Sequence, residues 1–119
     1  MDVRLKRAYE PATASDGYRV LVDRLWPRGV SRADAQLDQW AREIAPSTAL
    51  RQWFGHDPAR FDEFRRRYLD ELAAQTETLR ALRRRAREGT LTLVFAAHDS
   101  RHNEAVVLAE VLRRGRRTR

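Results

Sequence analysis

Residues 18–30 read YRVLVDRLWPRGV, an apolar strand pattern that runs directly into a charged turn. Val20 and Val22 fall on one side of this predicted strand and Leu21 on the other, so the strand over residues 19–23 is predicted to be buried on both faces. Burial of this kind is typical of a sheet that helices cover on both sides. The turn that follows places polar groups on a rigid scaffold, where ligand-binding residues are often found.

The rest of the chain supplies the other elements of such a sheet. A short strand around residues 3–6 alternates apolar and basic side chains, and residues 91–97 form a second continuous apolar run. Four helix starts are indicated by capping residues, namely Ser47, Asp57 with Pro58, Thr76 or Thr78, and Asn103. Together these patterns predict an α/β fold, a small single domain with a short, mostly parallel sheet flanked by helices and Rossmann-like in outline.

Charge is distributed unevenly along the 119 residues, which are enough for one hydrophobic core. The formal net charge is +7, but five arginines lie within residues 113–119. Residues 1–112 hold 19 basic and 17 acidic side chains, a net charge of +2. We therefore expect a single domain over residues 1–112 and a flexible, arginine-rich tail over residues 113–119.

Several classes of protein are excluded or disfavoured by what the sequence lacks. There is no cysteine, which excludes disulfides and thiolate metal sites and fits a cytoplasmic location. We expect no membrane association, because no signal region and no run of about 20 apolar residues is present. No metal site is expected from His98 and His102, since zinc needs three or four protein ligands. No cofactor is expected either, because the glycine-rich nucleotide-binding motifs are missing.

A candidate site follows from the predicted sheet. If the strands over residues 19–23 and 91–97 are parallel neighbours, the polar loops after them open at the same edge, where α/β proteins bind ligands. The ligand-binding residues predicted there are Arg24, Trp26, Arg28, His98, Ser100 and Asn103. The leading hypothesis is a small anionic ligand, such as a phosphate-bearing molecule, with Arg24 and Arg28 as charge partners. In a catalytic version, Asp23 or Asp99 acts as general base and Asn103 orients a substrate oxygen.

These residues also have structural interpretations. Trp26 is the type of residue that packs a turn against the core, Asp23 and Arg24 can form internal ion pairs, and Asn103 can simply cap a helix. Two other functions stay open. One is nucleic-acid binding through the tail and a basic helical face formed by Arg80, Arg83, Arg84 and Arg87, although interspersed charge is also common on solvated helices. The other is a protein interaction module without a pocket, which uses Trp40 and Trp53. The oligomeric state does not follow from the sequence.

Four segments carry a family resemblance. They are Lys6-Arg7, the stretch DGYRVLVDRLWPRG over residues 16–29, Ile44-Ala45-Pro46-Ser47 with Leu50-Arg51, and Asn103 before Ala105. With these motifs the chain resembles the YeaO-like branch of the domain of unknown function 488 family over its whole length apart from the arginine tail. The resemblance implies a small cytoplasmic bacterial α/β domain and no established activity. Where relatives carry a lysine and then Asn-His-Ala, this chain has His98 and then Asn103-Glu104-Ala105. Glu104 cannot replace an imidazole in a neutral or cationic role.

Overall fold

A computed structural model describes residues 1–114, and residues 115–119 lie outside the described part of the chain. It contains one sheet, whose strands are β1 (Asp2–Arg7), β2 (Tyr18–Leu21), β3 (Gln39–Trp40) and β4 (Thr90–Phe95). The strand order is β1-β4-β2-β3, and all three pairings are parallel. The predicted α/β class is confirmed, and so is the expectation that the two apolar strands, β2 and β4, are parallel neighbours.

Five α-helices accompany the sheet in the described residues. They are α1 (Arg32–Ala35), α2 (Thr48–Phe54), α3 (Phe61–Leu72), α4 (Thr76–Glu88) and α5 (Glu104–Arg114). The predicted caps at Ser47 and Asp57 are confirmed, because each side chain accepts a hydrogen bond from a first-turn N–H, at 3.1 and 3.0 Å. Asp57 begins a short 3₁₀ turn over Pro58–Arg60, which continues into α3.

The predicted threonine cap of α4 is wrong. Thr76 is the first residue inside the helix, and the N-cap position belongs to Gln75, which makes no capping hydrogen bond with its side chain. The Thr78 hydroxyl instead donates to a carboxylate oxygen of Glu43 at 3.4 Å. The α4 N-terminus therefore follows directly from the end of α3, where backbone hydrogen bonds from Ala74 and Gln75 close the turn.

The two faces of the sheet are covered differently. Val20 and Val22 lie in the main core, which is built with the apolar stripes of α2, α3, α4 and α5. Leu21 lies on the opposite face with Val94, covered by partly buried residues of the segment between β2 and β3, including Trp26. The alternation of residues 20–22 is thus confirmed. The expectation of helices on both faces is met fully on one face only, because loop residues and the single turn of α1 cover the other.

A buried ion cluster lies near the loop-covered face. Asp16 is only 6 % exposed and accepts hydrogen bonds from Lys6 Nζ at 3.1 Å and from Arg19 Nη1 at 2.7 Å. Arg19 also donates to the Ala35 carbonyl from Nε and Nη2, at 3.0 and 2.8 Å. The chain leaves Asp16 through Gly17, whose φ of 64° and close approach to Thr90 require glycine. This cluster fixes the loop before β2 to the sheet and to α1.

The described chain ends in a helix. Arg113 and Arg114, the first basic residues of the predicted tail, are the last two residues of α5. Arg113 donates to the Val3 carbonyl of the edge strand β1 at 2.7 Å, and Arg114 pairs with Glu110 at 2.6 Å. The remaining residues of the predicted tail lie outside the described residues. Within residues 1–114, none of the helices is both long and apolar enough to cross a membrane.

Candidate functional site

Asp23 joins the strand ends at the carboxyl edge of the sheet. It lies two residues after β2, and its Oδ2 atom accepts a hydrogen bond from the Ala96 N–H, just after β4, at 3.0 Å. Its backbone carbonyl accepts a hydrogen bond from the indole Nε1 of Trp40, in β3, at 2.8 Å. The two predicted polar loops are therefore brought to one edge, and Asp23 is the residue that links them.

Asp23 has a second partner that the sequence analysis does not assign to the site. Its carboxyl group neighbours that of Glu104, the first residue of α5. Burial raises the pKa of Glu104 well above its ordinary range, and the hydrogen bond and negative charge of Asp23 raise it further. Burial and a neighbouring carboxyl group both favour the neutral form of Glu104.

Tyr68, on α3, closes this region from the core side. It is fully buried, and its hydroxyl donates to the Ile44 carbonyl at 2.7 Å. Burial raises the pKa of Tyr68 well above its ordinary value, and the neighbouring carboxyl groups add to the effect. Tyr68 is consequently a neutral hydrogen-bond donor that holds the chain between β3 and α2 in place.

Arg24 is anchored by backbone carbonyls of this same segment. Its Nε atom donates to the Pro46 carbonyl at 3.1 Å and its Nη2 atom to the Ala45 carbonyl at 3.3 Å. Within residues 1–114 it forms no ion pair, so the predicted internal ion pair is not present. The segment is itself fixed by the Glu71 carboxylate, which accepts hydrogen bonds from the Ser47 N–H and hydroxyl at 2.8 and 2.6 Å.

The turn after Arg24 contains one packed side chain, that of Trp26, and one exposed side chain, that of Arg28. Trp26 packs edge-on against Trp40, with ring centroids 5.4 Å apart, and donates from Nε1 to the Val30 carbonyl at 2.6 Å. Its ring is also covered by the guanidinium of Arg32, at 4.4 Å. The Arg28 side chain is exposed, while its carbonyl accepts a hydrogen bond from the Tyr9 hydroxyl at 3.0 Å. The structural interpretation of Trp26 is therefore the one that its contacts favour.

The second loop is held by Asp99. Its Oδ1 atom accepts from the N–H groups of Arg101 and His102 at 2.9 and 3.1 Å, and its Oδ2 atom lies 2.8 Å from His102 Nδ1. The hydrogen bond from the Arg101 N–H lowers the pKa of Asp99, and the hydrogen bonds with His102 lower it further. His98 and Ser100 are exposed at the surface of this loop.

Asn103 ends the loop and caps α5, as predicted. Its Oδ1 atom accepts from the Val106 N–H at 3.1 Å, and its Nδ2 atom donates to the Asp99 carbonyl at 2.8 Å. The residue is 1 % exposed. Both ends of the amide are thus engaged inside the protein.

Arg7 is a further residue of the site that sequence patterns did not assign. It ends β1 and donates from Nε to the Ala97 carbonyl at 2.9 Å and from Nη2 to the Ala96 carbonyl at 3.4 Å. This geometry repeats that of Arg24, since each guanidinium binds two consecutive carbonyls. Arg7 directly follows the strand predicted around residues 3–6 and belongs to the Lys6-Arg7 motif of the family resemblance, which is the sequence signal that could have indicated it.

The residues of the two alternative functions are found in varied surroundings. Arg80 pairs with Glu77 at 3.3 Å, and Arg83 is partly buried and donates to the Val111 carbonyl of α5 at 3.3 Å. Arg84 and Arg87 are exposed. Trp40 is bound to Asp23 as described, and the ring of Trp53 is covered by the guanidinium of Arg67 at 4.3 Å. Within residues 1–114, there is no group of three or more side chains suited to hold a metal ion.

Comparison with known proteins agrees with the resemblance seen in the sequence motifs. Residues 2–118 match the family described as the inactive DUF488-N3 subclade. The chain is 46 % identical over 113 residues to the uncharacterized protein YeaO of Escherichia coli K12, and the matched residues cover 95 % of this chain and 98 % of YeaO. It is 42 % identical over 110 residues to the uncharacterized protein Rv3073c of Mycobacterium tuberculosis H37Rv, with 92 % of both chains covered. No solved structure matches the chain.

Proposed function

We propose that this chain, which belongs to the inactive DUF488-N3 subclade, binds a small anionic ligand at the carboxyl edge of its sheet without transforming it. The ligand class we favour carries a phosphate group, and we place the binding in the cytoplasm. Arg24 is the main charge partner in this proposal, and Arg28 is a second one that approaches from the exposed turn.

The proposal rests on the hydrogen bonding of the Arg24 guanidinium. Two carbonyls orient it through Nε and Nη2, while Nη1 has no hydrogen-bond partner within residues 1–114. The nearby acidic groups are engaged elsewhere, since Asp23 accepts a hydrogen bond from the Ala96 N–H and Glu71 accepts one from the Ser47 N–H. An oriented guanidinium without a carboxylate partner favours phosphate or carboxylate ligands, which arginine binds through its planar array of donors.

Binding without turnover fits the acidic residues of the edge. Asp99 was the second candidate for a general base, but its lowered pKa makes it a weak base and both its oxygens are engaged within the loop. Asp23 has one oxygen committed to the backbone N–H of Ala96. The description of the matching subclade as inactive supports the same conclusion.

Isothermal titration calorimetry with inorganic phosphate and with pyrophosphate tests the proposal. Arg24→Ala should weaken binding roughly 10- to 100-fold, the range expected for loss of a hydrogen bond to a charged group. Arg24→Lys should be intermediate, because lysine keeps the charge and loses the planar array of donors. Arg80→Ala is the matched control, since it removes an equal charge from a residue paired with Glu77 on α4.

Two results would contradict the proposal. The first is an absence of saturable binding of either anion by the wild-type chain at millimolar concentrations. The second is an equal loss of affinity in Arg24→Ala and Arg80→Ala, which would mean that the ligand responds only to the overall charge of the protein.

A further inference from the structure

Tyr9 is an exposed aromatic residue at the carboxyl edge of the sheet. It lies two residues after the end of β1, and 47 % of its surface is accessible to solvent. Leu25, which directly follows Arg24, is 60 % exposed. Within residues 1–114, the exposed large apolar side chains are these two and that of Met1. Two of the three therefore border the region in which Arg24 is proposed to bind an anion.

The Tyr9 ring is held in one orientation although it is exposed. Its hydroxyl donates to the Arg28 carbonyl at 3.0 Å, and the Cζ atom of Arg7 lies over one face of the ring, 5.0 Å from its centroid. Arg7 is itself fixed by the carbonyls of Ala96 and Ala97. Since the hydroxyl and one face are occupied, the exposed surface of Tyr9 belongs chiefly to the other side of the ring. A ring that is already oriented loses little conformational freedom when a ligand packs against it.

Tyr9 and Arg24 lie within reach of one ligand. β4 lies between β1 and β2, and neighbouring strands are about 4.8 Å apart, so the ends of β1 and β2 are about 10 Å apart. The hydrogen bond from Tyr9 to Arg28 joins the segment after β1 to the turn after β2. The edge thus combines a guanidinium that has no carboxylate partner within residues 1–114 with an exposed aromatic face. This combination is complementary to a ligand that has a phosphate at one end and a planar ring at the other.

We infer that the ligand of this edge is a nucleoside monophosphate, whose base stacks on Tyr9 while its phosphate meets Arg24. The inference rests on the proposed binding of a phosphate-bearing ligand and adds the chemical class of that ligand. Stacking on an aromatic side chain tolerates different bases, because every base has a π-face. Tyr9 therefore selects for the presence of a base and not for its hydrogen-bonding groups.

The test compares adenosine 5′-monophosphate with ribose 5-phosphate by isothermal titration calorimetry, because the second ligand lacks only the base. Wild type should bind the nucleotide about 5- to 100-fold more tightly, the range expected when one base stacks on an aromatic side chain. Tyr9→Leu should remove this preference and leave the affinity for ribose 5-phosphate unchanged. Tyr9→Phe keeps the ring and should retain most of the preference.

Tyr18→Leu is the matched control. The ring of Tyr18 is also covered by an arginine, Arg85, at 4.2 Å, and its hydroxyl also donates a hydrogen bond, to Gln39 at 2.9 Å. Tyr18 is the first residue of β2, however, and so lies at the opposite, amino edge of the sheet. Tyr18→Leu should therefore keep the wild-type preference for the nucleotide. In proton NMR spectra, the adenine signals should shift upfield on binding to wild type and not on binding to Tyr9→Leu.

A preference for the nucleotide that survives in Tyr9→Leu would overturn the inference, and so would equal affinities of wild type for the two ligands. If those equal affinities both fall in Arg24→Ala, anion binding stands and only the assignment of the ligand as a nucleotide fails. If wild type binds neither ligand, the inference and the proposed function fail together.

Discussion

Asp16→Asn should destabilise the protein strongly, and the loss should depend on pH in a defined way. Burial alone would raise the pKa of Asp16, but hydrogen bonds from the Thr13 backbone and from the neighbouring cations lower it to about 2 from its ordinary 3.8. Each tenfold change in proton affinity is worth about 1.4 kcal/mol. The ionised form of Asp16 therefore contributes about 2.5 kcal/mol to folding at neutral pH.

The sign of the pH dependence follows from the lowered pKa. The contribution is fully present above pH 3.8 and is lost as the pH falls toward 2, since the unfolded chain binds the proton first. Removing the charge also leaves Arg19 buried without a counterion, which raises the total cost toward about 3–5 kcal/mol. Protonated Asp16 resembles asparagine, so the two chains should converge in stability at low pH.

Glu63→Gln is the matched control. The hydrogen bonds from Arg66 and then Arg67 lower the pKa of Glu63 to about 2 as well, but this carboxylate lies at the surface of α3, where its side chain is 36 % exposed. Its substitution should have a small effect that salt screens, because exposed ion pairs contribute little. Urea unfolding from pH 7 to pH 3, at low and high salt, measures both variants. A constant difference between Asp16→Asn and wild type across this range, or equal losses in the two variants, would refute the reasoning.

Two pairs of substitutions can be compared with the same unfolding assay. Gly17→Ala should lower the free energy of unfolding by about 3 kcal/mol or more, because the new Cβ atom would lie 2.4 Å from the Thr90 carbonyl oxygen. Gly29→Ala should lower it by only about 1–2 kcal/mol, since nothing lies within 4 Å of the new Cβ atom. Asn103→Ala should lower the free energy of unfolding by about 1 kcal/mol, because the α5 cap is lost. Thr76→Ala should change it by no more than about 0.5 kcal/mol, because the Thr76 side chain does not cap α4. Equal losses within either pair would contradict the structural assignment.

The elements with a clear period could be predicted from the sequence. The alternation of residues 20–22, the apolar run that became β4 and the stripe of α3 each reflect burial of one side of a regular element. β3 could not be predicted, because Gln39–Trp40 is too short to show a period and is defined by its pairing with β2. α1 escaped for the same reason, since Arg32–Ala35 is a single turn.

The charged interior was hidden for a different reason. Asp16 lies in a stretch whose composition indicates a loop, and Arg19 alternates with apolar residues as a solvent-facing residue would. Their burial depends on each other, because either charge alone would be costly to bury. Glu104 directly follows the predicted N-cap Asn103, a position where an acidic side chain interacts favourably with the helix dipole. It neighbours Asp23, which is 81 residues away in the chain and is brought to the same edge only through the β2–β4 pairing.

Within residues 18–30, the contacts of each side chain distinguish residues that stabilise the fold from residues that are available to bind a ligand. Arg19, Asp23 and Trp26 each have buried or packed partners in the described chain, so their substitution should lower stability before it affects a ligand. Arg24 is different, because its anchors are neutral carbonyls and leave its charge uncompensated by any carboxylate within residues 1–114. A guanidinium that served folding alone would hold its position equally well next to a carboxylate. Since the carboxylates of Asp23 and Glu71 are instead turned toward backbone N–H groups and a hydroxyl group, the charge left to meet a ligand there is positive.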